Sequence, residues 1–363
     1  MDEGMKKLLI IGGSIMGGLL LIILVAAIIG GTGSKNLTYE EFEKRLYNAA
    51  VRYYQDNKKE LPSYDGEITL SYSTLVNKGY IKPIEKLLKN GSSCTAEVRV
   101  TKYADNYSYV PYINCGSDYT TKELYNVIFE DNPTVTEGKG LYEGNNYYYF
   151  RGEVTNNYVG LNDKLYRIVK INDDNTITVI KQERTPNTYT WDNRYNIEEK
   201  GNYGINDFEL SRIKDTLKTL ATTDEIFTDT TKAKLTPRQL CIGKRKLDTS
   251  DKTNKIECSK LTEDSYYLGL LTVSDYLEAS LDPNCTNISS KSCMNYNFLA
   301  TIGSSFTLTA VEDNTNEIYY YSTRGVKTRD AFEKQSLNVI TFISNKAIYD
   351  KGNGTESNPY IIK

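Results

Sequence analysis

An unbroken apolar run, Leu8 to Ile29, constrains this chain more than any other feature of its sequence. The run carries no charged side chain, and Lys6 and Lys7 stand immediately before it. A helix of about 20 apolar residues can cross the hydrocarbon core of a bilayer, and lysines beside such a helix stay on the cytoplasmic side. We therefore expect residues 1–34 to be a cytoplasmic stub and a single transmembrane anchor, with the rest of the chain extracellular.

A cleaved secretory signal peptide is the alternative to an anchor. Its apolar core has about 7–15 residues before a small-residue cleavage site, whereas here residues 25–27 are followed by more isoleucine. Both interpretations place the following residues outside the cytoplasm. Gly13 and Gly17 have the spacing through which transmembrane helices pack and self-associate, although glycine is also simply common in such helices.

Six cysteines and the complete absence of histidine limit the chemistry of this chain. The cysteines fall into three close pairs, namely Cys94 and Cys115, Cys241 and Cys258, and Cys285 and Cys293. An extracellular location favours disulfides between neighbours, although the sequence alone leaves the connectivity open. A zinc site would require closely spaced cysteines or Cys/His clusters. Without an imidazole, a Ser-His-Asp or Cys-His catalytic site is excluded.

Residues 35–120 predict a small α+β domain. The segment Thr38 to Glu41 is a capping box, and apolar residues follow it at helical spacing, which predicts an amphipathic helix ending near Asn57. A short helix over residues 73–78 comes next.

Two strands, Ala96 to Tyr103 and Tyr107 to Ile113, then form a predicted hairpin. Cys94 and Cys115 are equidistant from its loop, so a disulfide between them would close its open end.

Residues 1 to about 120 resemble the pilin and pseudopilin family. An apolar helix is followed by an amphipathic helix carrying Ala49 to Tyr54 and then by a small antiparallel sheet. The resemblance implies a subunit that assembles laterally through its N-terminal helix. The family's processing signal is a glycine, a methylated phenylalanine and, four residues later, a glutamate. Here the apolar run precedes Gly33 and Thr38 stands at the glutamate position, which favours a permanent anchor.

Residues 121–144 are polar, carry few aliphatic side chains and predict a linker with one short helix. Residues 145–363 predict a second α+β domain that is long enough for its own core. Its expected elements are a hairpin of Leu165 to Ile171 and Thr176 to Lys181, a helix beginning near Asn206, a short helix at Val273 capped by Ser274, and strands at Phe306 to Val311, Glu317 to Tyr321 and Leu337 to Ile343.

Several stretches of the second domain resemble an uncharacterised extracellular domain of low-GC Gram-positive bacteria. That domain is distantly similar to the C-type-lectin-like and sulfatase-modifying-factor fold, and it often follows a pilin-like or membrane-anchored N-terminus. The stretches are residues 157–160, 165–169, 191–196, 241–245, 269–276 and 354–360. The resemblance implies a C-terminal domain of that fold and a glycan or surface protein as ligand.

Trp191, Asp192 and Arg194 are the candidate ligand-binding residues. A single tryptophan is more often part of a core, but an exposed Trp191 would be suited to stacking on a sugar or aromatic ligand. The segment Asn172 to Asn175 offers oxygen ligands without the spacing of a calcium loop, so a polar hairpin turn is favoured there. The sequence indicates no metal and no cofactor.

The resulting prediction is a membrane-anchored extracellular surface protein that binds a ligand or has a structural role, without enzymatic activity. A net charge of −3 and the lack of a basic patch argue against a nucleic-acid partner. A pseudopilin-like subunit is the alternative. A cell-envelope glycan hydrolase is a third interpretation, because carboxylates are plentiful although no pair stands out by position.

Overall fold

The computed structural model of this protein describes residues 36–63, 66–103, 106–200, 202–223 and 228–363. Within them the chain forms two compact units, the first ending at Thr120 and the second spanning Thr121–Lys363. Both are α+β, and the second contains more strand than helix. No helix in these ranges is long and apolar enough to span a bilayer. The expected anchor at residues 8–29, with Gly13 and Gly17, lies outside the described residues.

The first unit consists of a long helix and a three-stranded antiparallel sheet in the order β1-β2-β3. Its elements are α1 (Tyr39–Asp56), β1 (Glu67–Ser71), α2 (Tyr72–Asn77), β2 (Thr95–Tyr103) and β3 (Asn106–Asn114), with 3-10 turns at Lys58–Glu60, Ile84–Lys86 and Gly91–Ser93.

The capping box predicted for α1 is confirmed. The Thr38 side chain accepts from the Glu41 amide at 3.1 Å, and the Glu41 carboxylate accepts from the Thr38 amide at 2.9 Å. Phe42 and Leu46 on one face of α1 are fully buried in a core shared with Val98 and Val100 of β2. The helix is therefore held by its apolar stripe as well as by its cap.

The hairpin of β2 and β3 has the predicted register. Tyr103 pairs with Asn106 and Thr95 with Asn114, so the residues just beyond the open end face each other. A disulfide joins Cys94 and Cys115 there.

The second unit contains the strands β4 (Gly140–Glu143), β5 (Tyr148–Arg151), β6 (Tyr158–Leu161), β7 (Lys164–Ile171), β8 (Ile177–Lys181), β9 (Tyr189–Thr190), β10 (Leu268–Gly269), β11 (Ser305–Ala310), β12 (Glu317–Ser322), β13 (Gly325–Asp330), β14 (Lys334–Gln335), β15 (Ile340–Ile343), β16 (Tyr349–Lys351) and β17 (Tyr360–Ile362). Its helices are α3 (Leu124–Asp131), α4 (Ile213–Thr223), α5 (Asp229–Lys232) and α6 (Val273–Glu278), with 3-10 turns at Glu257–Ser259, Lys291–Met294 and Phe298–Thr301.

The main sheet of this unit runs β10-β15-β8-β7-β6-β17-β16, with β5 beside β7 and β4 beside β5. All pairs of neighbouring strands in it are antiparallel except the pair β17 and β6, which is parallel. All four residues of β15 and four of the five in β8 are buried, so both faces of the central sheet are covered. A smaller sheet, β11-β12-β13, and the pair β9-β14 complete the strands of the described residues.

The segment expected to be a linker belongs instead to the second unit. Residues 121–144 contain α3 and β4, and Leu124, Ile128 and Leu141 are fully buried in the core of that unit. A few well-spaced aliphatic side chains are enough to fix this polar segment to the core.

The helix predicted from Asn206 begins later, at Ile213. The Asn206 side-chain amide instead donates to the carbonyls of Val311, Asn314 and Glu317 at 2.9–3.0 Å. Those bonds tie Asn206 to the β11–β12 connection, and the helix begins seven residues later.

Ser274 is not the cap of α6, contrary to the prediction. Thr272 caps the helix, and Ser274 belongs to a buried polar network. In that network the fully buried Arg245 and Glu257 form an ion pair at 3.0 Å, and the Ser274 hydroxyl lies 2.7 Å from Glu257 Oε2. Disulfides between Cys241 and Cys258 and between Cys285 and Cys293 join neighbours, as predicted.

Candidate ligand-binding cleft

Trp191 is fully buried, so it cannot stack on a ligand at the surface. Its ring makes edge contacts with Phe208 and Phe306, each with ring centroids 6.2 Å apart. The condition under which Trp191 would bind a ligand is therefore not met, and the residue belongs to the core.

Asp192 and Arg194 stabilise the loop that follows Trp191. The buried Asp192 carboxylate accepts from the amides of Arg194 at 2.9 Å and Arg212 at 3.0 Å. The Arg194 guanidinium binds the same carboxylate at 2.7 Å and the Leu210 carbonyl. Of the three candidate residues only Arg194 reaches solvent, with 43% of its side chain exposed. These contacts stabilise the loop, and a role of Asp192 and Arg194 in ligand binding stays a prediction.

The polar side chains of the turn between β7 and β8 form hydrogen bonds within the turn. Asp174 accepts from the amide of Thr176 at 3.0 Å and from its hydroxyl at 2.6 Å, and Arg238 pairs with the same carboxylate. A guanidinium thus neutralises the oxygens that a calcium ion would need. In the described parts of the chain, no three cysteine, aspartate or glutamate side chains are grouped to hold a metal ion.

The candidate functional site is an open cleft of about 590 Å³ in the second unit. It is bordered by the segment before β5, the β7–β8 turn, residues 237–241, the loop closed by the Cys241–Cys258 disulfide and the start of α6. These segments are far apart in sequence, and the central sheet with the disulfide brings them together.

One wall of the cleft is apolar. Leu240, Leu270, Leu308, Ile340 and Phe342 line it, and each is at most 5% exposed. The cleft therefore reaches the hydrophobic core and is more than a surface depression.

An ion pair forms part of the cleft lining, and we call this pair the floor of the cleft. Lys170 on β7 donates to Asp275 Oδ1 at 2.6 Å, with little of either side chain exposed. Asp275 Oδ2 accepts from the Thr272 amide at 2.8 Å, which completes the capping box of α6. Burial opposes ionisation of this carboxyl, but Lys170 and Thr272 outweigh it and lower the pKa of Asp275.

A second carboxyl, that of Glu278, is outside the cleft lining but contacts a lining side chain. Glu278 is three residues after Asp275 on α6, a spacing that places both on one side of the helix. The Tyr147 hydroxyl donates to Glu278 Oε1, and Tyr147 itself lines the cleft. Burial disfavours the charged form and raises the pKa of Glu278 to about 8, although Tyr147 and Lys170 act in the opposite direction.

Side-chain amides and balanced charges surround the rest of the opening. The amides belong to Asn145, Asn146, Asn172, Gln239 and Asn254. The positively charged groups are Lys170, Arg238 and Lys255, and the negatively charged groups are Asp173, Asp174 and Asp275. The cleft thus offers many hydrogen-bonding groups without a net charge when Glu278 is protonated.

Comparison with models of known families, with curated proteins and with solved structures found no match to this chain. The case for a function rests on the geometry of the cleft.

Sequence reasoning did not identify Tyr147, Lys170 and Asp275 in the cleft lining, or Glu278 next to it. Two signals were present: Lys170 is a charged residue between the apolar Val169 and Ile171, and Thr272 with Asp275 has capping-box spacing. Neither signal indicates that the two segments meet.

Proposed function

We propose that this protein is a membrane-anchored, outward-facing binding module, and that the cleft of its second unit takes an extracellular glycan. The observation that carries this proposal is the cleft itself. Its volume of about 590 Å³ falls within the ~300–1,000 Å³ of ligand sites, and an apolar wall faces a small set of fixed polar groups, as in such sites.

A glycan suits this lining better than an apolar ligand does. Hydroxyl groups both donate and accept hydrogen bonds, and side-chain amides offer both kinds of partner. The Tyr147 ring and the apolar wall provide surface for the carbon-bound hydrogens of a sugar. The fixed Lys170–Asp275 pair pre-organises the floor, which lowers the cost of ordering side chains on binding.

The extracellular location rests on two features. Three disulfides fit an oxidising compartment, and the apolar run at residues 8–29 fits an anchor preceded by lysines.

Binding of the full chain to glycans tests the proposal. The chain is purified in mild detergent and applied to a glycan array and to isolated cell-wall material. Lys170→Met should weaken the binding, because it removes the cation of the floor. Lys327→Met is the matched control, since Lys327 is an exposed residue of β13 away from the cleft lining. Equal binding by both variants, or no binding by the unmodified chain, would contradict the proposal.

A pseudopilin-like assembly subunit is a second candidate function. The packing of α1 on a three-stranded antiparallel sheet favours it, since the pilin layout combines such a unit with an apolar N-terminal helix. In membranes, chemical cross-linking of the full chain should give oligomers, and replacing Gly13 and Gly17 with leucine should abolish them. Oligomers unaffected by this double change would argue against assembly through that helix.

A further inference from the structure

The floor of the cleft offers a ligand more hydrogen-bond donors than acceptors. Both oxygens of Asp275 are used inside the protein, one by Lys170 and one by Thr272. Both oxygens of Asp174 are used in the same way, by Thr176 and Arg238, and Asp173 forms an ion pair with Arg238 at 3.6 Å.

The Lys170 ammonium has three N–H groups, of which Asp275 takes one. Lys255, also on the cleft lining, is exposed. A ligand that brings an acceptor with a negative charge therefore complements this floor.

The charge of Glu278 also acts on Lys170 in this floor. Its carboxyl is linked to the cleft through the Tyr147 hydroxyl. Six charged or titratable groups interact with the Glu278 carboxyl. Tyr147 and Tyr149 come from β5 and the segment before it, Lys170 from β7, Lys252 and Glu257 from the loop of the Cys241–Cys258 disulfide, and Asp275 from α6.

Four of these neighbours have shifted pKa values, among them Lys252, whose pKa is lowered by burial. The pKa values of Tyr147 and Tyr149 are raised by burial, and the pKa of Asp275 is lowered. The chain has no histidine. The pKa of Glu278 is raised to about 8, so its charge changes between about pH 6 and pH 9.

We propose that the cleft binds a carboxylate-bearing sugar against Lys170, and that Glu278 weakens this binding when it loses its proton. The inference rests on the proposed glycan-binding function and specifies its ligand class and its regulation. With Glu278 neutral, the Lys170 charge is balanced by Asp275 alone. With Glu278 ionised, the floor gains a negative charge that repels the ligand carboxylate. A neutral sugar has no such repulsion.

Calorimetric titration of the full chain in detergent tests this inference. The two probes are a glucuronate-containing disaccharide and the disaccharide with glucose in place of glucuronate, each at pH 6 and pH 9. The unmodified chain should bind the acidic sugar roughly tenfold more tightly at pH 6 than at pH 9, and Lys170→Met should remove the preference for the acidic sugar. Glu278→Gln should bind it equally at both pH values.

Glu153→Gln is the matched control, because Glu153 is exposed and does not line the cleft; it should keep the pH dependence of the unmodified chain. Tyr147→Phe gives a second readout. Loss of its hydroxyl removes a hydrogen bond that lowers the pKa of Glu278, so the midpoint of the pH dependence should move to higher pH.

The outcomes separate the inference from the proposed function. Binding of the neutral sugar with equal or greater affinity overturns the carboxylate assignment and leaves glycan binding standing. A Glu278→Gln variant with the pH dependence of the unmodified chain overturns the role of Glu278. Binding of neither sugar at either pH counts against both proposals together.

Discussion

Glu278→Gln should remove most of the pH dependence of stability that the second unit shows near neutral pH. The pKa of Glu278 is raised on folding from its ordinary value of 4.5 to about 8, because burial disfavours the carboxylate. A group of this kind stabilises the folded state fully below its unfolded pKa and loses that contribution as pH rises through its folded pKa. The unmodified protein should therefore become less stable between pH 5 and pH 8.5.

The size of the effect follows from the shift. One pKa unit corresponds to about 1.4 kcal/mol, and integration between these two pH values gives a loss of roughly 3–4 kcal/mol. Glutamine keeps the acceptor that Tyr147 uses and cannot ionise. The variant should match the unmodified protein at pH 5 and exceed its unfolding free energy at pH 8.5.

Urea unfolding followed by tryptophan fluorescence measures this difference. Trp191 is the single tryptophan of the chain and is fully buried in the second unit, so its emission reports that unit. The absence of histidine removes the usual source of titration in this range. A flat unfolding free energy in the unmodified protein, or the same slope in the variant, would refute the reasoning.

Three further changes should lower stability for separate reasons. Trp191→Ala should cost about 3–5 kcal/mol in thermal unfolding followed by circular dichroism, and Trp191→Phe less, since phenylalanine lacks the buried indole N–H that has no acceptor within the described residues. Glu257→Gln should cost about 3–5 kcal/mol in urea unfolding, because it leaves the Arg245 charge buried without its partner. Serine at both Cys241 and Cys258 should cost about 3 kcal/mol, as expected for a bridge spanning 17 residues, and should weaken ligand titration at the cleft edge.

Local signals in the sequence predicted local structure well. The Thr38 capping box and the β7–β8 turn depend on side chains within a few residues of each other. A short stretch of sequence therefore contains all the residues needed to predict them. The Cys94–Cys115 bridge follows from hairpin register alone. Ser274 shows the limit of such signals, since Thr272 is an equally good cap and long-range contacts with Arg245 and Glu257 decide between them.

The cleft could not be predicted in this way. Lys170 and Asp275 are separated by 105 residues, and only the packing of α6 against the sheet brings their charges together. Trp191 posed the same difficulty, because a tryptophan in a polar segment fits an exposed loop as well as a buried anchor. Its burial is set by Phe208 and Phe306, which come from other parts of the chain.

The parallel pairing of β17 with β6 has a consequence for how the second unit acquires its structure. Tyr360 pairs with Val159, so this part of the sheet forms by bringing together segments about 200 residues apart, and contacts at such separation slow folding. Until residues 360–362 arrive, the backbone of β6 presents an unpaired edge that invites association with other chains. We therefore expect the nascent chain to be prone to association with other chains until β17 has docked on β6.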